Sequence, residues 1–211
     1  MDKKQLLEEL YKKTKTEIND ELSKNATNLV FGKGNPNAQI LFIGEAPGEQ
    51  EDLQGTPFVG RAGKQLDKLL NKIGLTIDDV YIANILKYRP PKNRDPNSDE
   101  ITEHTPYLIE QIKIIKPKII ATLGNYSTKF ILCGCEPDKM KKIGGITTLH
   151  GKPLHLDMNG TQTIVVPIYH PAAMLYRPQI RIDLEADFEI IKEIIGGEKS
   201  TKKKEKTLFD Y

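Results

Sequence analysis

The sequence predicts a three-layer α/β/α fold with a central four-stranded parallel sheet. Four short runs, at residues 39–44, 80–84, 117–124 and 163–170, are rich in β-branched residues and apolar at consecutive positions. Such continuous apolarity is typical of strands that are covered on both faces. Helical patterns alternate with these runs in the order β-α-β-α-β-α-β, which predicts parallel strands joined by right-handed crossovers. The length of 211 residues suits one globular domain.

The chain begins with a predicted amphipathic helix over residues 3–22, in which four apolar residues recur at helical spacing: Leu6, Leu7, Leu10 and Tyr11. The first strand, QILFIG, ends at Gly44 and is followed by a loop dense in glycine, proline and carboxylates. A helix over residues 62–73 then leads to the second strand, VYIAN, which ends at Asn84. These elements make the first β-α-β unit of the alternation.

A second helix is predicted over residues 98–115, with Ser98 as its candidate N-cap and Ile101 and Leu108 on its apolar side. It precedes the third strand, PKIIATLG. Residues 151–166, which contain MNGT, predict a hairpin that feeds the last strand, TIVVPIYH.

Three polar stretches follow strands of this predicted sheet. The first strand ends in GEAPG, the second in Asn84 and the last in His170. In open parallel sheets, ligands bind beyond the carboxyl ends of the strands. These three places therefore converge on one cleft if the strands are neighbours.

Composition sets further limits. The formal net charge of +2 is too small to indicate a polyanion partner by itself. Cys133 and Cys135, separated by one residue, match neither a disulfide framework nor a common zinc pattern, which favours a reduced, intracellular setting. No apolar run approaches the ~18 residues of a membrane span, and the charged start does not resemble a signal peptide. We therefore expect a soluble, cytoplasmic protein without membrane contact.

Four motifs occur in order along the chain: GEAPGEQED, PFVGRAG, a strand ending in Asn84 before KYRPPKNRDP, and YHPAAML. Together they resemble the uracil-DNA glycosylase superfamily, specifically its family 4 type, from about residue 28 to residue 193. The resemblance implies a DNA repair enzyme, a monofunctional and monomeric hydrolase that acts on uracil-containing DNA at the nucleoid. It hydrolyses the N-glycosidic bond of a flipped-out deoxyuridine and leaves an abasic site.

This chemistry requires recognition of the everted base and stabilisation of the base as it leaves as an anion. The resemblance implies that the Asn84 amide pairs with the uracil edge and that a neutral His170 donates to the base oxygen that gains charge. It also implies that the base stacks on Phe58. The alternatives are a strand-end cap for Asn84, a structural histidine and an ordinary core phenylalanine. The other histidines are interpreted as surface or structural residues: His104, His150 and His155.

The carboxylates of the glycine-rich loop have different predicted roles. Glu45 is the first candidate to fix the attacking water or the base, because Ala46 stands where better-known relatives outside this branch carry an aspartate. Glu51 resembles the carboxylate that excludes the thymine methyl group. Gly44, like Gly48, would let backbone amides approach the base or a phosphate. The remaining polar residues are interpreted as solvated: Glu49, Gln50 and Asp52.

DNA binding also requires cations and an apolar wedge. Four basic residues in KYRPPKNRDP are candidate phosphate contacts, although a charged loop is more often only a wet surface: Lys87, Arg89, Lys92 and Arg94. Met174, four residues after His170, matches the wedge that fills the gap left by the flipped nucleotide. The alternative for Met174 is a core methionine.

The sequence departs from family 4 at the four cysteines that usually hold a [4Fe–4S] cluster. Glu17, Asp20, Tyr88 and His104 occupy those positions, and these side chains cannot replace thiolates. We therefore expect no cofactor and no metal. Glu17, Asp20 and His104 could still connect the first helix to the loop through hydrogen bonds.

After residue 195 the sequence predicts a flexible tail, disordered up to Lys206. Its end, TLFDY, resembles a sliding-clamp-binding motif, with Leu208, Phe209 and Tyr211 as the inserted side chains. The alternative is a disordered tail with accidental aromatic residues.

Other functions compete with uracil excision. An enzyme of the same fold could act on hypoxanthine or xanthine, or on single strands, and a non-catalytic module could use the fold only to bind DNA. A nucleotide-binding protein is a weaker alternative, because GEAPGEQED lacks the Lys-Ser/Thr ending of the P-loop and the spacing of the dinucleotide fingerprint.

Overall fold

The structure, a computed structural model, describes residues 1–158 and 160–206. Within these ranges one sheet contains six strands: β1 Lys33–Gly34, β2 Ile40–Gly44, β3 Val80–Asn84, β4 Ile119–Leu123, β5 Leu154–Met158 and β6 Thr161–Ile168. Their order is β1-β3-β2-β4-β6-β5. The four central strands are parallel, as the sequence predicts, and both edge strands pair antiparallel. The hairpin of β5 and β6 was expected, whereas β1 was not.

Helices cover both faces of this sheet: α1 Lys3–Glu17, α2 Glu21–Asn25, α3 Glu49–Gln54, α4 Arg61–Lys72, α5 Ser98–Ile115, α6 Asn125–Leu132, α7 Ile146–Leu149 and α8 Pro178–Lys206. Successive residues of β2 point to opposite faces. Leu41 and Ile43 share a buried cluster with apolar residues of α1, α2, α5 and α6. Ile40 and Phe42 pack with residues of α4 and α8. This arrangement confirms the three-layer α/β/α class.

The single helix predicted over residues 3–22 is wrong. Helix α1 ends at Glu17, and Ile18 has an extended backbone. Asp20 then caps α2 by accepting the Ser23 N–H at 2.8 Å. A short acidic side chain competes for the backbone in this way and favours a helix start over a helix interior.

The cap predicted for the long helix is also corrected. Asn97, not Ser98, is the N-cap of α5, because its side chain and that of Glu100 form a reciprocal capping box. The Glu100 carboxylate accepts the Asn97 N–H at 2.8 Å. Ser98 is instead the first helical residue, so the predicted range 98–115 is confirmed.

The C-terminal segment differs from the expected flexible tail in that α8 continues through Lys206. The buried residues Leu184, Phe188 and Ile191 anchor this helix on the second core. Lysine and glutamate are good helix formers and offset the ~1 kcal/mol that each glycine costs in a helix. The domain boundary at residue 195 stays a prediction, and Leu208, Phe209 and Tyr211 lie outside the described residues. Across the described ranges, no helix has the length and apolarity needed to cross a membrane.

Candidate active site

A cavity of about 340 Å³ opens at the carboxyl ends of the parallel strands, and predicted site residues from separate motifs line it: Glu45, Ala46, Glu51, Phe58, Asn84, Arg94 and His170. Strand β4 lies between β2 and β6, so the three strands that carry the motifs are not all neighbours. Asn84 and His170 nevertheless face one cavity. Further lining residues that the sequence analysis did not assign include Pro90, Asn93 and Ala172.

Main-chain hydrogen bonds join the two loops that form one wall of this cavity. Ile85 donates its N–H to the Gly44 carbonyl, and Leu86 donates to the Glu45 carbonyl, both at 3.0 Å. A Cβ at position 44 would lie 2.3 Å from Asn84 Oδ1 and 2.9 Å from the Phe58 ring. Gly44 is therefore needed for a close approach of side chains, rather than for an unusual backbone conformation.

Asn84 is a buried side chain with unused hydrogen-bonding capacity. Only 2% of the residue is exposed, and Oδ1 has no hydrogen-bond partner among the described residues. A buried polar atom without a partner costs roughly 1–3 kcal/mol. The side-chain carbonyl of Asn84 is therefore the group in the cavity wall best placed to accept a hydrogen bond from a ligand.

The imidazole of His170 is neutral at pH 7 and has one nitrogen already engaged. Burial lowers the pKa of His170 to about 4, against the opposing effect of the Glu51 charge. Nδ1 accepts the Ala172 N–H at 3.2 Å, so we assign the ring proton to Nε2. Gly124, with a φ of +92°, would place a Cβ 3.3 Å from His170 Cβ. The ring can thus donate one hydrogen bond through Nε2.

The turn that carries Phe58 is held by hydrogen bonds to Glu51. The Phe58 ring is buried, and its centroid lies 5.8 Å from that of His170. Its φ of 53° is unusual for a residue with a side chain. Glu51 Oε1 accepts the Val59 N–H at 2.9 Å and the Gly60 N–H at 2.7 Å, which stabilises this turn.

The neighbours of Glu51 are only partly as expected. Glu49 and Gln50 are exposed at the start of α3, in agreement with the prediction. The prediction that Asp52 is solvated is wrong. Asp52 is 5% exposed and accepts the main-chain N–H groups of Thr27 and Asn28 at 2.9 and 3.1 Å. It ties α3 to the segment before β1.

Glu45 is an acid that changes charge near neutral pH. Burial, followed by the charge of Asp95, raises its pKa to about 7. Asp95 in turn accepts the Tyr126 hydroxyl at 3.0 Å. Asp95 was not predicted from the sequence, because its effect on Glu45 acts through space; only its place in the NRDP stretch pointed to this region.

If Glu45 has the role that the family 4 resemblance implies, the reaction rate should depend on its ionised form. The single-turnover rate should rise with pH through a midpoint of about 7 and level off at higher pH. Because a negative neighbour disfavours a second carboxylate charge, Asp95→Asn should lower the Glu45 pKa and move the midpoint to lower pH. Asparagine can still accept the Tyr126 hydroxyl. Rates measured over about two pH units on either side of neutrality test this, and an unchanged midpoint in Asp95→Asn would contradict it.

The basic loop has only some of its predicted charges on the surface. The prediction that Lys87 contacts phosphate is wrong, because its side chain is fully buried, at 0% exposure. Arg94 is exposed but its guanidinium is paired with Glu100 at 2.5 and 2.9 Å. Arg89 donates to Asn93 Oδ1 at 2.8 Å, and Lys92 is exposed.

The predicted wedge residue packs inward. Met174 is partly buried against the second core, which favours the core alternative. The two residues after it are exposed, Leu175 by 37% and Tyr176 by 72%. The apolar tip of this turn is therefore formed by these two side chains.

A profile of the Uracil DNA glycosylase superfamily matches residues 31–192, which is more than half of the chain. The chain belongs to the uracil-DNA glycosylase superfamily. A type-4 uracil-DNA glycosylase of Archaeoglobus fulgidus is 46% identical to this superfamily member over 191 residues, 90% of this chain and 91% of the relative. The corresponding protein of Sulfurisphaera tokodaii is 51% identical over 170 residues, 80% and 75% of the two chains. That of Thermotoga maritima is 40% identical over 179 residues, 84% and 88%.

In this superfamily member, none of the four positions at which the family 4 resemblance implies cluster ligands holds a thiolate, and three of them, Asp20, Tyr88 and His104, lie close together. His104 Nε2 bonds Asp20 Oδ2 at 2.9 Å, and His104 Nδ1 accepts the Lys87 N–H at 2.9 Å. The rings of Tyr88 and His104 meet edge to face, with centroids 6.1 Å apart. Both imidazole nitrogens are thus used, and these residues do not fit a [4Fe–4S] cluster.

The predicted hydrogen-bonded bridge is therefore found for Asp20 and His104. Glu17 instead accepts the Tyr107 hydroxyl at 3.1 Å. Burial lowers the pKa of His104, so the ring is neutral at pH 7 and donates to Asp20 through Nε2. Within the described ranges, no group of three or more His, Cys, Asp or Glu side chains is arranged to hold a metal ion.

Proposed function

We propose that this chain excises uracil from DNA by hydrolysing the N-glycosidic bond of a flipped-out deoxyuridine, leaving an abasic site. One observation carries the proposal: the unpartnered Asn84 Oδ1 and the neutral His170 belong to the wall of one cavity. The names of the relatives from Archaeoglobus fulgidus, Sulfurisphaera tokodaii and Thermotoga maritima agree with this activity.

In the proposed mechanism, Asn84 recognises the base. Uracil carries an N3–H donor next to an O4 acceptor, and a side-chain amide can pair with both. Cytosine presents an acceptor and a donor at the corresponding positions and is mismatched. Phe58 provides a stacking face, typically worth ~1–3 kcal/mol per base. Glu51, held by Val59 and Gly60, would stand against the C5 edge and exclude the methyl group of thymine.

The bond between C1′ of the sugar and N1 of the base breaks with its electron pair moving onto uracil. We assign to His170 Nε2–H the hydrogen bond to the base oxygen that gains charge, because a neutral donor stabilises an anion without first losing its own proton. Glu45, when ionised, orients the water that adds to C1′ and stabilises positive charge on the sugar. The hydroxyl of that water bonds to C1′, and its proton neutralises the departing uracil anion.

An assay on three oligonucleotides tests the activity. Each carries one deoxyuridine, deoxyinosine or deoxyxanthosine, in single- and double-stranded form, and strand cleavage after alkali reports excision. We expect excision of uracil and retention of undamaged cytosine and thymine. Comparable rates on the purine lesions would support the broader specificity, and DNA binding without any excision would support the non-catalytic module.

DNA contact is assigned to the half-buried Arg89 and the exposed Lys92 of the basic loop and to the turn after His170. Lys92 and Arg89 are the candidate phosphate contacts, while Leu175 and Tyr176 join Met174 as candidates for the wedge. If Lys92 contacts phosphate, Lys92→Gln should weaken binding equally for all sequences and reduce its salt dependence. The exposed Lys24 is the matched control, because it lies on α2 and pairs with Glu21.

We also propose that the protein carries no iron-sulfur cluster, with the Asp20–His104 bond and the Tyr88 ring connecting the N-terminal segment to the loop in its place. Protein purified anaerobically should contain no stoichiometric iron and no brown chromophore. Adding cysteines at all four positions by Glu17→Cys, Asp20→Cys, Tyr88→Cys and His104→Cys provides the matched comparison. Stoichiometric iron in the unmodified protein would refute the proposal.

The tail is proposed to bind a sliding clamp through Leu208, Phe209 and Tyr211. Deletion of residues 205–211 should abolish capture by the cognate clamp without changing the excision rate on short oligonucleotides. Unchanged capture would contradict this assignment. We further propose that the enzyme acts as a monomer at the nucleoid; light scattering of the purified chain tests the first point and localisation of a tagged chain the second.

A further inference from the structure

Lys87 has an unusual environment for a lysine. Its side chain is fully buried, three residues after Asn84. Nζ donates to the main-chain carbonyl of Asn84 at 2.9 Å and to Gln111 Oε1 at 2.6 Å. It also lies 5.8 Å from the centre of the Phe31 ring. The amine therefore lies beneath the strand end that carries Asn84, on the side away from solvent.

The main chain at Lys87 is fixed as firmly as its side chain. Its N–H donates to His104 Nδ1 at 2.9 Å, and its carbonyl accepts the Val30 N–H at 2.8 Å. Gln111, the second acceptor of Nζ, donates through Nε2 to the Phe31 carbonyl at 3.0 Å. The segment from Asn84 to Lys87 is thus held by α5 and by the strip of chain before β1.

This arrangement does not resemble a simple stabilising contact. No carboxylate forms an ion pair with Lys87 within the described residues, and burial lowers its pKa to about 7. A buried amine is expensive, and an apolar residue of the same length would fill the space at lower cost. Both protonation states keep at least two N–H groups, so both hydrogen bonds persist on either side of neutrality.

The cost of burying the Lys87 amine is accounted for by its position next to the main-chain carbonyl of Asn84. Asn84 Oδ1 has no partner within the described residues. The orientation of the amide therefore depends on its backbone and on its close approach to Gly44. The only direct side-chain hydrogen bond to the Asn84 carbonyl, in the part of the chain that the structure describes, comes from Lys87. A bond at this atom restricts rotation of the peptide that follows Asn84.

We propose that Lys87 is a positioning residue, which holds the Asn84 carbonyl from below and so keeps the Asn84 amide aimed into the base pocket. The inference rests on the proposed role of Asn84 in reading uracil. Lys87 touches neither the base nor the sugar. Its contribution reaches the reaction only through Asn84, and Gln111 supports it by orienting Nζ.

A double-mutant cycle tests this. Lys87→Met keeps the length and apolar stem of the side chain and removes the donor. In the otherwise unmodified chain, we expect the single-turnover rate on uracil DNA to fall by roughly tenfold to a hundredfold. In an Asn84→Ala background, the same substitution should cost less than about threefold, because residues that act as a unit are not additive. The melting temperature should change little, because removal of the buried amine offsets the loss of a donor to the Asn84 main-chain carbonyl and to Gln111 Oε1.

The cycle separates the possible outcomes. A purely structural role would lower the rate by the same factor in both backgrounds, and this result, or an unchanged rate in Lys87→Met, would overturn the inference. Full activity of Asn84→Ala would instead overturn the proposed role of Asn84. Phe188→Leu, buried in the other core layer, is the matched control and should lower the melting temperature without changing the rate measured well below it.

If Lys87→Met does not fold, a second variant, Gln111→Met, tests the same inference. Gln111→Met removes one of the two acceptors and leaves the Lys87 bond to Asn84 available. It should slow excision less, by roughly threefold to tenfold, and this loss should likewise vanish in the Asn84→Ala background. A loss that persists at the same size in that background would overturn the inference.

Discussion

Asn84→Leu is expected to lower the rate of uracil excision by about a thousandfold or more while leaving the protein as stable as before, or more stable. The amide is the only group proposed to distinguish uracil from cytosine. Its Oδ1 is buried without a partner in the described structure, at a cost of roughly 1–3 kcal/mol. Leucine keeps the branching at Cγ and the number of side-chain heavy atoms, and it removes that cost.

Thermal unfolding and single-turnover kinetics on the same preparation measure both effects. Asn71→Leu is the matched control, because Asn71 lies exposed on α4, and we expect an unchanged rate there. A large loss of stability in Asn84→Leu would mean that the amide is a structural group. An unchanged rate would mean that another residue recognises the base.

The lower rate and the retained or higher stability expected for Asn84→Leu have a common cause: several residues around the cavity adopt states that cost stability. Glu45 has a raised pKa, His170 has a lowered pKa and Phe58 adopts a positive φ. Each feature costs stability, and together with the unpartnered amide they occur around one cavity. A cluster of residues in such destabilising states is typical of functional sites.

Much of the fold could be predicted because the central strands are apolar on both faces. All four parallel strands were found from continuous apolarity and helices α4 and α5 from periodicity, with boundaries that differ by at most two residues. The two errors in helix ends have local causes. Asp20 is the N-cap of α2 and so interrupts the helix predicted over residues 3–22, and Asn97 rather than Ser98 is the N-cap of α5. The two-residue strand β1 has no periodic signal of its own.

The candidate site was predicted less evenly. The motifs identified residues that line one cavity, because they lie at the ends of strands, where parallel topology brings them together. Lys87 was misinterpreted because a lysine in a basic, proline-rich stretch looks exposed. Its burial depends on α5, which supplies Gln111 from a distant part of the chain. Asp52 was misinterpreted for a similar reason, since its partners precede β1.

Gly44→Ala is expected to reduce excision by more than about a hundredfold and to destabilise the fold by roughly 1–3 kcal/mol. The new Cβ would lie 2.3 Å from Asn84 Oδ1 and 2.9 Å from the Phe58 ring, so at least one of the two must move. Asn84 cannot retreat easily, because Ile85 and Lys87 hold its peptide from both sides. Phe58 is confined by Gly63, where a Cβ would lie 2.0 Å from the Phe58 carbonyl.

The misplacement should appear mainly as a loss of kcat rather than of DNA affinity, because the proposed phosphate contacts, Arg89 and Lys92, are not among the side chains that the new Cβ would meet. Gly196→Ala is the control, since a Cβ there meets nothing within 4 Å, and it should leave the rate unchanged and stabilise α8 slightly. Binding of abasic-site DNA and single-turnover rates separate the two effects. If Gly44→Ala keeps its rate, the amide and the ring are not required in their observed positions, and both roles would have to be reassigned.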